Sequence, residues 1–167
     1  MDANELRALQ APLKTQYRED PARAMKLLRA SGTLDQSRVA VTLDRACAPV
    51  LGLHPATGGD GNFGCAAELL LQAVVGCAGV TCCAVATAMS IAISGSIVAE
   101  GELDFRGTLG VDRDAPVGFV QIRLSFALKS DAKAEQLQKL VELSERYCVV
   151  LQTLKGVPLV SRLEAQT

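Results

Sequence analysis

The chain has 167 residues, with 17 basic and 18 acidic side chains, 4% aromatic residues and no tryptophan. That length suits one domain with a real core, and the aliphatic residues Leu, Val, Ile and Ala must build it. The even charge balance argues against an electrostatic nucleic-acid surface, and the few aromatics argue against a base-stacking platform.

The first residues, Met1-Asp2-Ala3-Asn4-Glu5, are polar and acidic, with neither a basic start nor an apolar run after it. They read as no secretory signal, so the expected compartment is the cytoplasm, where thiols stay reduced. Six cysteines in such a chain suggest packing, metal or redox roles rather than a disulfide framework. Residues 4–18 have helical composition, with Pro12 expected to kink or break the helix and Asp20-Pro21 to end it. Residues 24–34 and 38–45 read as two strands joined by a turn near Asp35-Gln36-Ser37. The Gly-rich stretch His54 to Asn62 reads as a loop, a flexible entry to a long helix.

From Leu69 to Ala99 no side chain is charged. The spacing predicts that helix from about Cys65 to Ala92. It is long enough to span a bilayer, but it is rich in Ala, Gly, Ser, Thr and Cys, and neither end carries a basic cluster or an aromatic belt. A helix apolar on all sides can instead form the centre of a soluble assembly, which is the expectation here.

Strict alternation comes next. Glu100, Glu102, Asp104, Arg106 and Thr108 face one way, and Gly101, Leu103, Phe105, Gly107 and Leu109 the other. After a turn at Ala115 to Gly118, Val120, Ile122, Leu124, Phe126 and Leu128 alternate with polar or small residues, predicting an antiparallel pair. Ser130 or Asp131 can cap a further helix. Leu137, Leu140, Val141, Ser144, Cys148 and Leu151 share one of its faces, and Lys155-Gly156 stops it. Residues 158–163 read as a closing strand. Strands in blocks with helices between them give an α+β class with mostly antiparallel sheet.

Two cysteines stand where chemistry is plausible. Cys77 is flanked by Gly76 and Ala78, which leave space around the sulfur, and it lies in the first half of the long helix. Cys148 shares the apolar stripe of its own helix, so it faces inward and could meet Cys77 at disulfide distance. Each has a bland alternative as a small core residue. Cys82 and Cys83 point about 120–140° away from Cys77 and read as packing residues, while Cys47 and Cys65 fall on or near loops. There is no C-x-x-C pair, and the single histidine, His54, has no cysteine at ligand spacing. Neither a metal nor a cofactor is expected.

The segments Glu68-Leu69-Leu70-Leu71-Gln72-Ala73-Val74-Val75-Gly76-Cys77 and Glu145-Arg146-Tyr147-Cys148-Val149-Val150, with the strand pair between them, resemble the OsmC/Ohr family of thiol-dependent peroxide reductases. The resemblance covers roughly residues 22–164. It implies an intertwined homodimer with curved, mostly antiparallel sheets around two central helices, and residues 1–21 as an added N-terminal helical extension to a domain spanning 22–167. It further implies that Cys77 attacks a small hydrophobic organic hydroperoxide, that Cys148 resolves the product, and that a dithiol reductant restores the pair. No nucleic acid or membrane partner is implied. The family opens its central helix with a Pro-Glu-Glu-Leu type segment whose first Glu holds an Arg beside the thiolate. Here that segment is Ala66-Ala67-Glu68-Leu69, with Ala67 at the first Glu position. Glu68 remains as a supporting candidate, although a regular helix sets it about 180° round and ~13 Å from Cys77. Arg29, Arg38 and Arg45 are the candidates for the Arg by strand placement. The alternative reading is a non-catalytic small-molecule binding or structural relative without the activating Glu/Arg pair.

Overall fold

The computed structural model describes residues 3–44, 50–156 and 159–165. The elements in order are α1 (Ala3–Glu19), β1 (Met25–Asp35), β2 (Ala40–Leu43), α2 (Ala66–Ala88), β3 (Ser94–Asp104), α3 (Phe105–Thr108), β4 (Phe119–Lys129), α4 (Ala134–Tyr147), α5 (Val149–Thr153) and β5 (Leu159–Ala165). The strands form one sheet in the order β2-β1-β3-β4-β5. All pairs are antiparallel except β4 with β5, which run parallel.

Alternation fixes which face of the sheet is covered. Leu28, Ala30 and Leu34 of β1, Ile97, Ala99 and Leu103 of β3, and Ile122, Leu124, Phe126 and Leu128 of β4 are buried. The intervening residues, including Arg29, Glu100 and Arg123, turn to the other face. Helix α2 lies across β1, β2 and β3 and carries α4 and α5 along its side. Its approach to the sheet is close because two glycines meet there. A Cβ on Gly79 would stand 2.4 Å from Cγ2 of Val41, and one on Gly32 would stand 2.8 Å from Cγ1 of the same residue. Burial covers little more than half of the α2 circumference, through Leu71, Val74, Val75, Ala78, Cys82, Cys83 and Ala86. The remaining arc, with Leu69, Ala73, Val80 and Ala84, is exposed and carries no charge. Among the described residues α2 is the one helix long and apolar enough to cross a bilayer, yet here its other arc packs on the sheet.

Several boundaries differ from expectation. Helix α1 runs through Pro12 unbroken. Pro12 is exposed, so the carbonyl one turn back, which its ring deprives of an N–H, is free to meet water. Helix α2 ends at Ala88 rather than Ala92, closed by Met89 and by Ser90 in the left-handed region (φ 55°). Strand β3 begins six residues earlier than the charged alternation and stops at Asp104 rather than Leu109. The Asp104 carboxylate accepts the N–H of Arg106 at 3.0 Å and pairs with its guanidinium at 2.6 Å, and so caps the short α3 instead of continuing the strand. Helix α4 starts at Ala134, with Lys133 and not Ser130 or Asp131 at its N-cap. Ser130 instead bonds the Ala92 carbonyl at 2.7 Å, and the Gln136 side chain accepts the Lys133 N–H at 3.1 Å.

Candidate active site

The largest departure from the sequence reading makes the site. The predicted helix through Cys148 is two helices, and Cys148 is the residue between them, with φ −74° and ψ 113°. The next two residues, Val149 and Val150, are a β-branched pair with reduced helix preference, the one sequence signal of the break. Gln152 bridges the gap. Its backbone N–H donates to the Cys148 carbonyl at 3.0 Å, and its side-chain amide donates to the Glu145 carbonyl at 2.9 Å. The first N–H groups of α5 then have no helical carbonyl to meet, as at any helix start.

Those N–H groups lie near enough to Cys77 to act on its thiol. Its thiol is half-buried on α2, at the border between the covered and exposed arcs. Burial pushes its pKa up. The N–H of Val150, the Cys148 thiol, the N–H of Val149 and the Thr81 hydroxyl all favour the thiolate, and together they bring it below the ordinary thiol value. Thr81 lies one turn after Cys77 and donates its hydroxyl to the Cys77 carbonyl at 2.8 Å, near enough to the sulfur to favour the thiolate. The two predicted site cysteines thus lie near enough for each thiol to shift the other, and both are free thiols. Cys148 is buried, and its thiol is pushed up to about 11 by burial, partly opposed by the N–H of Leu151, and by the hydrogen bond and charge of Cys77. One thiol is held ready to ionise while its neighbour keeps its proton.

The supporting residues read from sequence are elsewhere. Arg29 lies on the outer face of the sheet, since Leu28 and Ala30 on either side turn inward, and it pairs with Glu100 at 3.8 Å. Arg38 is exposed in the turn Gln36–Arg38 and stands 3.9 Å from Asp35. Glu68, in the first turn of a helix regular from Ala66 onward, acts on His54 instead of on Cys77. Arg45 and Cys47 lie outside the described residues. Sequence reasoning missed the backbone donors of Val149 and Val150, which no side-chain pattern reveals, and it missed Thr81, whose i+4 spacing from Cys77 is a readable signal.

The other cysteines are packing residues by position. Cys82 is fully buried beside Ser144, and burial drives its thiol up to about 11. Cys83 faces Asp35 and the Ala40 carbonyl, and burial again raises it. Cys65 is the N-cap residue of α2. Among the described residues no group of three or more His, Cys, Asp or Glu could hold a metal.

Residues 59–161 match the family model for OsmC-like proteins. The chain belongs to the OsmC-like family. The crystal structure of an OsmC-like protein from Mycoplasma pneumoniae is similar over 86% of this chain and 96% of its own, with a TM-score of 0.59 and 17% identity. A second solved structure, from structural genomics, is similar over 63% of this chain and 75% of its own, at 21% identity and a TM-score of 0.50. No curated protein matches the sequence. At these identities the structural likeness speaks for the fold, and helix α1, before residue 59, lies outside the matched family segment.

Proposed function

We propose that this OsmC-like protein is a cytoplasmic thiol-dependent reductase of organic hydroperoxides, with Cys77 as the attacking thiol and Cys148 as the resolving thiol. The observation that carries the reading is the pairing of a lowered thiol with a raised one across the break between α4 and α5.

The Cys77 thiolate attacks the terminal peroxide oxygen. The S–O bond forms, the O–O bond breaks, and the alkoxide leaves and takes up a proton as the alcohol. Cys77 is then a sulfenic acid. Its negative charge is gone, and with it two of the causes that held the Cys148 proton in place. Cys148 ionises and attacks the Cys77 sulfur, the S–S bond forms, and the hydroxyl leaves as water. An external dithiol reopens the disulfide by exchange and is itself oxidised. The α5 N–H groups take the part that the family resemblance assigns to an arginine.

Ala73 and Val80 flank Cys77 on α2, and Val149 is exposed on α5, so apolar side chains border the thiol. They favour an alkyl or aryl hydroperoxide over hydrogen peroxide. The uncharged open arc of α2 calls for a second copy of the chain, and the reading includes a homodimer closed on that arc. A second reading, a binding protein without turnover, draws on the position of Arg29 and Arg38 away from Cys77. The two are separated by hydroperoxide consumption with a small dithiol as reductant. The reductase consumes cumene hydroperoxide faster than hydrogen peroxide and stops when Cys77 is changed to Ser. A chain that consumes neither is the binding protein.

A further inference from the structure

The chain's single histidine lies outside the thiol site, where four elements converge. His54 precedes a single 3-10 turn at Pro55–Thr57, and its Nδ1 accepts the N–H of Ala56 at 3.0 Å. Its ring stacks on Phe105 of α3, with centroids 5.0 Å apart. The carbonyls of the turn hold α1. Tyr17, buried, donates its hydroxyl to the Ala56 carbonyl at 2.9 Å, and the Gln10 amide donates to the Thr57 carbonyl at 3.2 Å. Leu9 covers Gly58 at the end of the turn, where a Cβ would meet the Leu9 Cβ at 3.3 Å.

The 54–57 turn is closed by the His54 carbonyl, which accepts from the Thr57 N–H at 2.8 Å and the Thr57 hydroxyl at 2.9 Å. We propose that His54 is an acid-sensitive latch for the N-terminal helix: protonation of Nδ1 removes the side-chain cap on the Ala56 N–H and so loosens the turn whose carbonyls anchor α1. A neutral imidazole can accept through Nδ1, and an imidazolium can only donate, so the Ala56 N–H and the new N–H would then face each other. Two charges act on the ring. The Glu68 carboxylate from the first turn of α2 attracts the imidazolium, and the Lys26 ammonium from β1 repels it. On α3 and its cap, Asp104 and Arg106 are paired with each other, and Asp60 in the same loop is bound by Asn62. Glu68 therefore offers the protonated ring a partner away from the turn.

Burial lowers the His54 pKa below its ordinary 6.5. A histidine lowered in the folded state takes up protons when its region opens, so docking is at full strength above that value and weakens as pH falls through the lowered one. Undocking takes away Leu9, one wall of an open apolar groove of about 690 Å³ that Leu53 and Phe63 also line. The latch thus couples pH to access at the loop that enters α2.

The test follows two signals in the intact chain from pH 7.5 to pH 5. The ring proton resonance of the one histidine gives its titration, and hydrogen exchange of residues 3–24, corrected for intrinsic rates, gives docking. The expected result is a loss of α1 protection that follows the histidine titration, with β3 and β4 unchanged. His54→Asn keeps a side-chain acceptor for the Ala56 N–H but does not titrate, so it should hold α1 docked throughout the range. Protection of α1 that stays constant while the histidine titrates overturns the proposal, and so does the same pH dependence in His54→Asn.

Discussion

Cys77 and Cys82 stand five residues apart on one helix and have opposite surroundings. Cys82 is on the covered arc, under α4, and burial drives its thiol up to about 11. Cys77 is on the border of the open arc, where two backbone N–H groups of α5, the Cys148 thiol and the Thr81 hydroxyl outweigh the same desolvation. The difference teaches that neither the helix nor its dipole selects the reactive thiol. The selection is made by a separate element, α5, that begins where α4 stops.

The largest expected effect comes from exchanging the two thiols for hydroxyls. Cys77→Ser should lower hydroperoxide consumption by on the order of 100-fold or more, whereas Cys82→Ser should leave it within about twofold in steady-state assays of the folded protein. Next are the two arcs themselves. Gly79→Ala forces a methyl against Val41 and should destabilise the fold by about 1–3 kcal/mol in denaturant unfolding. Gly76, on the open side, has nothing within 4 Å of an added Cβ. Gly76→Ala should therefore not destabilise the chain, and should stabilise it by up to about 1 kcal/mol through helix preference. Gly76→Leu should instead weaken self-association, seen by sedimentation, if the open arc is the dimer seam.

Charge and pH sharpen the comparison. Alkylation of Cys77 should rise with pH and level off below the range of a free thiol, about 8.5. Cys82 and Cys148 are weak acids raised in the folded state, so they are neutral when folded and ionise on unfolding. Their contribution to stability is complete below about 8.5 and is lost as pH rises toward about 11. The thermal midpoint should fall across that window, and less steeply in Cys82→Ala. The smallest effect is that of Thr81→Val, which removes one hydroxyl from the Cys77 thiolate. Its alkylation rate near pH 7 should drop by severalfold, roughly the weight of one weak hydrogen bond.

Much of the fold is legible in the chain. Alternation at Ile122, Leu124, Phe126 and Leu128 marks β4, and the uncharged run marks α2, because burial imposes periods of two and 3.6 on side chains. The pairing of Cys77 with Cys148 comes from an inward stripe and a family resemblance. The end of β3 is not legible, since Asp104 fits the strand alternation as well as it fits a cap. The break at Cys148 is nearly as hard to see: only the β-branched Val149-Val150 pair marks it, without Gly or Pro, and the stripe from Leu137 to Leu151 runs straight across. Backbone donors such as those of Val149 and Val150 belong to every sequence and become a site only through the turn that exposes them. Strand membership alone does not place Arg29 at the thiol, because the face it takes decides which side of the sheet it serves.

The central claim is that Cys77 and Cys148 alone form the redox pair. It is tested most directly by treating the reduced protein with one equivalent of an alkyl hydroperoxide, blocking free thiols and mapping peptides by mass spectrometry. The account predicts a Cys77–Cys148 disulfide within each chain, with Cys47, Cys65, Cys82 and Cys83 recovered as blocked free thiols. Recovery of Cys77 and Cys148 as free thiols, or Cys77 linked to any other cysteine, would contradict it.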